Sequence, residues 1–123
     1  MSGRFSIAAR LKSFTFAFAG IATMLRTQHN AWLHLVATIA VIAAGFALNI
    51  SADDWRWLVT AIVLVWTAET VNTAFEHLCD VVSPEVQASV QKSKDIAAGA
   101  VLICAIGAVI IGLLVFVPYL LRH

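Results

Sequence analysis

The 123-residue chain is 61% hydrophobic and only 12% charged, with a formal net charge of +1 and a mean hydropathy of +0.89. Soluble domains carry about 25% charged residues, so this composition excludes an ordinary water-soluble domain and points to lipid as the solvent. A near-neutral balance gives no electrostatic footprint for nucleic acid, and the length fits a single unit, residues 1–123, rather than two domains.

The first element is read from Ile7, Leu11, Phe14, Phe18, Ile21 and Leu25, which recur at alternating spacings of four and three. That spacing draws one apolar stripe on a helix over about residues 5–27. Arg10 and Lys12 fall away from the centre of the stripe and can reach phosphate headgroups. The segment reads as an amphipathic helix on a membrane surface, or as a helix packed on the bundle. The apolar run before Ala17-Phe18-Ala19 is shorter than the roughly 7–15 residues of a secretory signal, so a cleaved signal is not expected.

Three apolar blocks follow as candidate spans, over about residues 32–50, 55–80 and 95–120. The first is interrupted only by His34 and Asn49, and the third has no charge between Asp95 and Arg122. Helices of this length cover a hydrocarbon core of roughly 30 Å at about 1.5 Å per residue. Trp32, Trp55, Trp57 and Tyr119 stand near span ends, as an aromatic belt requires. Arg4, Arg10, Lys12 and Arg26 precede the first span, and Lys92 and Lys94 lie between the second and third. The first connecting loop instead holds Asp53 and Asp54 with a single Arg56. The positive-inside rule therefore puts the N-terminus and the Ser83–Lys94 loop in the cytoplasm and the C-terminus outside.

Pro84 is expected to close the second span, because the residue before proline disfavours the helical region. In the third span Ala100, Cys104, Ala108 and Gly112 recur every four residues, a spacing of small side chains that lets helices approach closely in lipid. Cys79 and Cys104 read as small core residues, not as a metal pair.

The second span carries Glu69, Asn72, Glu76 and Asp80. On a helix Glu76 and Asp80 project within about 20° of Glu69, with Asn72 about 60° to one side. A charged side chain at the bilayer centre costs about 2.5–3.5 kcal/mol on the insertion scale, so such a cluster marks function. The bland alternatives are an interhelical hydrogen bond or, for Asp80, a solvated helix end. Glu69 lies roughly 21 Å along the helix from Trp55, and Glu76 about 10 Å further, near the cytoplasmic boundary. A lipid hydroxyl and a soluble cytoplasmic substrate can meet at that depth. Lys94 and Asp95, expected to begin the third span at the same level, supply a cation for a polyanion.

Phosphoryl transfer at the membrane surface is the chemistry these groups suit. Glu69, the deepest, is the candidate base that accepts a proton from a lipid hydroxyl. Glu76 is placed to hold Mg²⁺ against nucleotide phosphates, and Lys94 to pair with phosphate oxygens. The sequence has no Walker-type or kinase-type glycine loop, so any nucleotide site is of another kind.

The motif Glu69-x-x-Asn72-Thr73-Ala74-x-Glu76-x-x-x-Asp80, followed by Lys94-Asp95-x-x-x-Gly99-Ala100-Val101, resembles the bacterial diacylglycerol kinase and undecaprenol kinase family. The likeness extends to Lys12 and Gly20 and covers nearly the whole chain. It implies an all-α integral membrane fold, an N-terminal amphipathic surface helix plus three transmembrane helices. It further implies a homotrimer in the bacterial cytoplasmic membrane, with sites at subunit boundaries and MgATP used to phosphorylate a lipid alcohol. Glu69 is then the catalytic base and Glu76 a metal ligand. Lys12, Asn72, Asp80, Lys94 and Asp95 line the nucleotide and phosphate site.

Two positions depart from the family pattern. Gln28 stands where a second metal-binding glutamate is usual, and an amide oxygen coordinates Mg²⁺ without bringing negative charge. Phe16 stands where related chains often have a polar or tyrosine side chain near the nucleotide. Arg26-Thr27-x-x-Asn30-x-x-x-His34 and the Phe116-Val117-Pro118 ending are closer to the undecaprenol kinases. His29 and His34 read as surface or helix-contact histidines rather than ligands. Two rival readings remain open at this point: a small proton-coupled transporter, which also places a glutamate in a span, and a weakly active trimeric scaffold of the same fold.

Overall fold

A computed structural model describes residues 3–83, 85 and 87–122. Four helices follow one another: α1 (Ile7–Thr27), α2 (His29–Ala47), α3 (Ala52–Val82) and α4 (Ala88–Leu121). Among the described residues, α2, α3 and α4 are each long and apolar enough to cross a membrane.

α1 begins at Ser6, whose hydroxyl accepts from Ala9 N at 3.3 Å and so satisfies one of the helix's orphan donors. Its apolar stripe stays exposed, and packing on the bundle is confined to the C-terminal end, where Met24 is buried. A single extended residue, Gln28 (φ −108°, ψ 117°), ends α1 and starts α2. Gln28 N still donates to Met24 O, and Ala31 N to Gln28 O. The break therefore costs few backbone bonds, and it aims the Gln28 side chain at α3.

The first span stops at Ala47, three residues short of the expected Ile50. Asn49 takes a left-handed conformation (φ 50°), with Asn49 N donating to Phe46 O and Ile50 N to Gly45 O. These bonds form a Schellman stop, and asparagine is one of the few residues that tolerates the left-handed position. The Asn49 that interrupts the apolar block is thus its cap. Ser51 then caps α3 by accepting from Asp54 N at 3.1 Å, and Asp53 and Asp54 in the first turn oppose the positive end of the helix dipole.

A small core closes this end of the bundle around Ile50, Leu58 and Val115, with Trp55, Phe116 and Tyr119 packed on it. Gly45 is required there. A Cβ at that position would lie 2.6 Å from Trp55 Cη2 and 2.7 Å from Cζ2. The Tyr119 hydroxyl donates to Asp54 Oδ2 at 2.6 Å and accepts from Ser51 N at 2.9 Å, tying the end of α4 to the α2–α3 turn.

α3 ends at Val82, with Ser83 N donating to Cys79 O; Pro84, expected to close this helix, lies outside the described residues. α4 starts at Ala88, not near Asp95. Lys92 and Lys94, expected in the connecting loop, are therefore helical, as is expected of Asp95. The physical reason is side-chain pairing one turn apart, Gln91 Nε2 donating to Asp95 Oδ1 at 2.9 Å, reinforced by a lysine tie back to α3. Most tertiary packing lies between α3 and α4. In the small-residue stripe of α4, Ala108 and Gly112 border a groove shared with α2 and α3, and a Cβ at Gly112 would meet nothing within 4 Å.

Candidate active site

Seven-residue spacing puts Glu69 and Glu76 on one face of α3, two turns apart. They line a cleft of about 250 Å³ together with Asn72, with Asn30, Leu33 and His34 of α2, and with Ala98, Val101, Leu102 and Ala105 of α4. The α4 wall is wholly apolar. The cleft therefore sets a row of polar side chains against a surface suited to hydrocarbon.

Glu69 is fully buried, with 0% relative exposure. Neither of its carboxylate oxygens has a protein hydrogen-bond partner. Burying a carboxylate without donors is costly, so this group is set to receive a donor from outside the chain. The nearest cation-forming group is His34, whose Nε2 lies 3.5 Å from Glu69 Oε2.

Two turns on, both oxygens of Glu76 accept from amides. Asn72 Nδ2 donates to Oε1 at 3.2 Å, and Gln28 Nε2 donates to Oε2 at 3.1 Å. Asn72 Oδ1 is buried without a partner. A half-turn of the Gln28 and Asn72 carboxamides exchanges donor for acceptor, which makes the same three side chains an all-oxygen set with one carboxylate. That set fits Mg²⁺, which typically takes one or two carboxylates and completes its shell with substrate phosphates and water. No group of three or more His, Cys, Asp or Glu side chains suited to a metal exists among the described residues.

The remaining expected site residues fall outside this cleft. Asp80, on the same helix face by spacing, is exposed and pairs with Lys94 Nζ at 2.6 Å. Asp95 accepts from Gln91. Lys12 sits on exposed α1 with its ammonium 6.0 Å from the Phe16 ring. Along this one face of α3, α4 covers Glu69 to Glu76, whereas its lysine pairs with Asp80. His29 is exposed. His34, read from sequence as a packing histidine, stands beside Glu69. The signal that could have found it is that it is the one titratable side chain inside the first apolar block.

Residues 15–116 match the family model described as prokaryotic diacylglycerol kinase. The chain belongs to that family. Similar members of the prokaryotic diacylglycerol kinase family include the undecaprenol kinase of Bacillus subtilis (strain 168), 38% identical over 109 residues and 89% of each chain. The diacylglycerol kinase of Synechocystis sp. is 38% identical over 112 residues, 90% of this chain and 64% of that protein. This chain thus spans just under two thirds of the second relative. The family match contains every expected site residue except Lys12.

Proposed function

We propose that the chain is an integral membrane lipid kinase that transfers the γ-phosphate of ATP to the hydroxyl of a lipid alcohol. The observation that carries the reading is Glu69, a buried carboxylate with both oxygens unpartnered, in a cleft walled by apolar α4 and leading to Glu76. Kinship with an undecaprenol kinase and a diacylglycerol kinase supports it.

In the step, the acceptor O–H gives its proton to Glu69 as its oxygen bonds to the γ-phosphorus. The bond from γ-phosphorus to the bridging oxygen breaks, and ADP leaves. Mg²⁺, when bound, would supply positive charge that offsets the charge developing on the transferred phosphoryl group. Glu76, Asn72 and Gln28 would hold it. Lys94, aligned by Asp80, faces phosphate from the next turns, with Asp95 and Lys12 completing the nucleotide side. Water exclusion comes from the buried setting of Glu69, which keeps its proton transfer directed at the lipid.

The assembly is a homotrimer in which a neighbouring subunit packs on the half-buried small-residue face of α4 and closes the open cleft. α1 lies on the cytoplasmic surface of a bacterial membrane, supported by its exposed stripe of Phe14, Phe18 and Ile21 with Arg10 and Lys12 alongside. The N-terminus is then cytoplasmic. Undecaprenol is the preferred acceptor, on the match with the Bacillus subtilis relative over 89% of both chains. The test is acceptor comparison on purified protein: ATP-dependent formation of a lipid phosphomonoester, faster with undecaprenol than with diacylglycerol. No phosphorylated lipid from either would sink the reading, and a preference for diacylglycerol would reverse the substrate assignment.

A further inference from the structure

His34 belongs to α2, while Glu69 belongs to α3, and these two helices touch sparingly. Where they meet, His34, Thr38 and Trp66 form a ring of contacts, with Glu69 beside the imidazole. Thr38, one turn after His34, donates its hydroxyl to the His34 carbonyl at 2.6 Å. Trp66, one turn before Glu69, donates its indole N–H to the Thr38 hydroxyl at 2.9 Å. The Trp66 ring meets the imidazole edge-on, with centroids 6.1 Å apart and planes at 66°. The imidazole thus packs against the Trp66 ring, with Nε2 3.5 Å from Glu69 Oε2.

That separation exceeds an ideal hydrogen bond, yet catalytic hydrogen bonds in unliganded enzymes are commonly long and tighten when substrate binds. Among the described residues, His34 is the one cation-forming group within 4 Å of a carboxylate whose oxygens have no hydrogen-bond partner. The His34 side chain is itself only 17% exposed, so solvent does not compete freely for its ring nitrogen.

We infer that His34 is a positioning residue for the transfer: its Nε2–H donates to Glu69 Oε2 in the loaded site and leaves Oε1 to take the acceptor's proton. This rests on Glu69 being the base. An unrestrained carboxylate rotates about its last torsion, and misplacement of a reacting group by about 1 Å can cost on the order of a hundredfold in rate. His34 also borders an apolar groove formed by Val41, Leu58, Val65 and Ala105. The same ring also links α2 to α3, so a purely structural role must be separated from positioning.

The experiment compares three variants of the purified full chain in detergent, assayed for lipid phosphate from labelled ATP. A glutamine places its amide nitrogen where Nε2 sits, whereas an asparagine is one methylene too short. His34→Gln is expected to keep kcat within roughly threefold of wild type, and His34→Asn to lose about tenfold to a hundredfold, with KM for ATP unchanged in both. Thr38→Val breaks the ring without removing Nε2, and is expected to lower thermal stability more than kcat. The inference is overturned if His34→Asn retains wild-type kcat, if His34→Gln falls as far as His34→Asn, or if Thr38→Val reproduces the His34→Asn loss. A wild-type protein that makes no lipid phosphate would overturn the kinase reading together with this one. Failure of the His34 series alone leaves that reading standing.

Discussion

Gln28 donates from Nε2 to Glu76 Oε2 at 3.1 Å across 48 residues of sequence. The break between α1 and α2 makes this contact possible, because an extended residue swings its side chain out of both helices and toward α3. Glu76 is thus flanked by two amides, where a second carboxylate would give the metal another negative ligand. Gln28→Glu is expected to lower the half-saturating Mg²⁺ concentration for turnover and to make thermal stability depend on Mg²⁺, since two adjacent carboxylates repel until a cation joins them. Titration of activity and melting temperature with Mg²⁺ checks both. If neither changes, Glu76 and position 28 do not share a metal.

Lys94 carries the phosphate side of the account, and Asp80 holds it at 2.6 Å. Lys94→Met is expected to raise KM for ATP by about tenfold or more, as loss of a charge-assisted phosphate contact does. Asp80→Asn should raise it only a few-fold, and the double variant should match Lys94→Met alone because the pair acts as one unit. Steady-state kinetics over ATP concentration decide this. An unchanged KM in Lys94→Met removes the residue from the nucleotide site.

Two glycines separate packing within a subunit from packing between subunits. Gly45→Ala forces the Trp55 ring aside, an overpacking cost of about 1–3 kcal/mol against about 1 kcal/mol of gained helix propensity. Net destabilisation is expected in thermal melts. A Cβ at Gly112 meets nothing within 4 Å and the residue borders an open groove, so Gly112→Leu is expected to leave the isolated subunit folded. If a neighbour packs there in the trimer, as proposed, cross-linking and light scattering will show smaller species for Gly112→Leu. A variant that assembles like wild type places the subunit boundary elsewhere.

Much of the architecture is legible in the sequence because lipid leaves few options. Apolar length defines three spans, and the helical period alone brings Glu69 and Glu76 to one face. The single-helix period carries no information on how neighbouring helices rotate against one another. For that reason the turn of His34 toward Glu69 and the capture of Asp80 by Lys94 stay hidden. The start of α4 at Ala88 is hidden for a different reason. Its first turns are polar and resemble a loop, and they are held helical by pairs such as Gln91–Asp95. Asn49 is ambiguous in the same way, since a polar residue in an apolar run is either a depth marker or a cap, and only its backbone conformation distinguishes them.

The central claim, that Glu69 takes the proton of a lipid hydroxyl, is tested most directly by Glu69→Gln. The variant keeps the size of the side chain and removes its basicity. Transfer of labelled γ-phosphate from ATP to undecaprenol or diacylglycerol is measured in detergent for both proteins, alongside nucleotide binding. The account predicts lipid phosphate from wild type and at least about a hundredfold less from Glu69→Gln, with nucleotide affinity retained. Turnover near the wild-type rate in Glu69→Gln would contradict it.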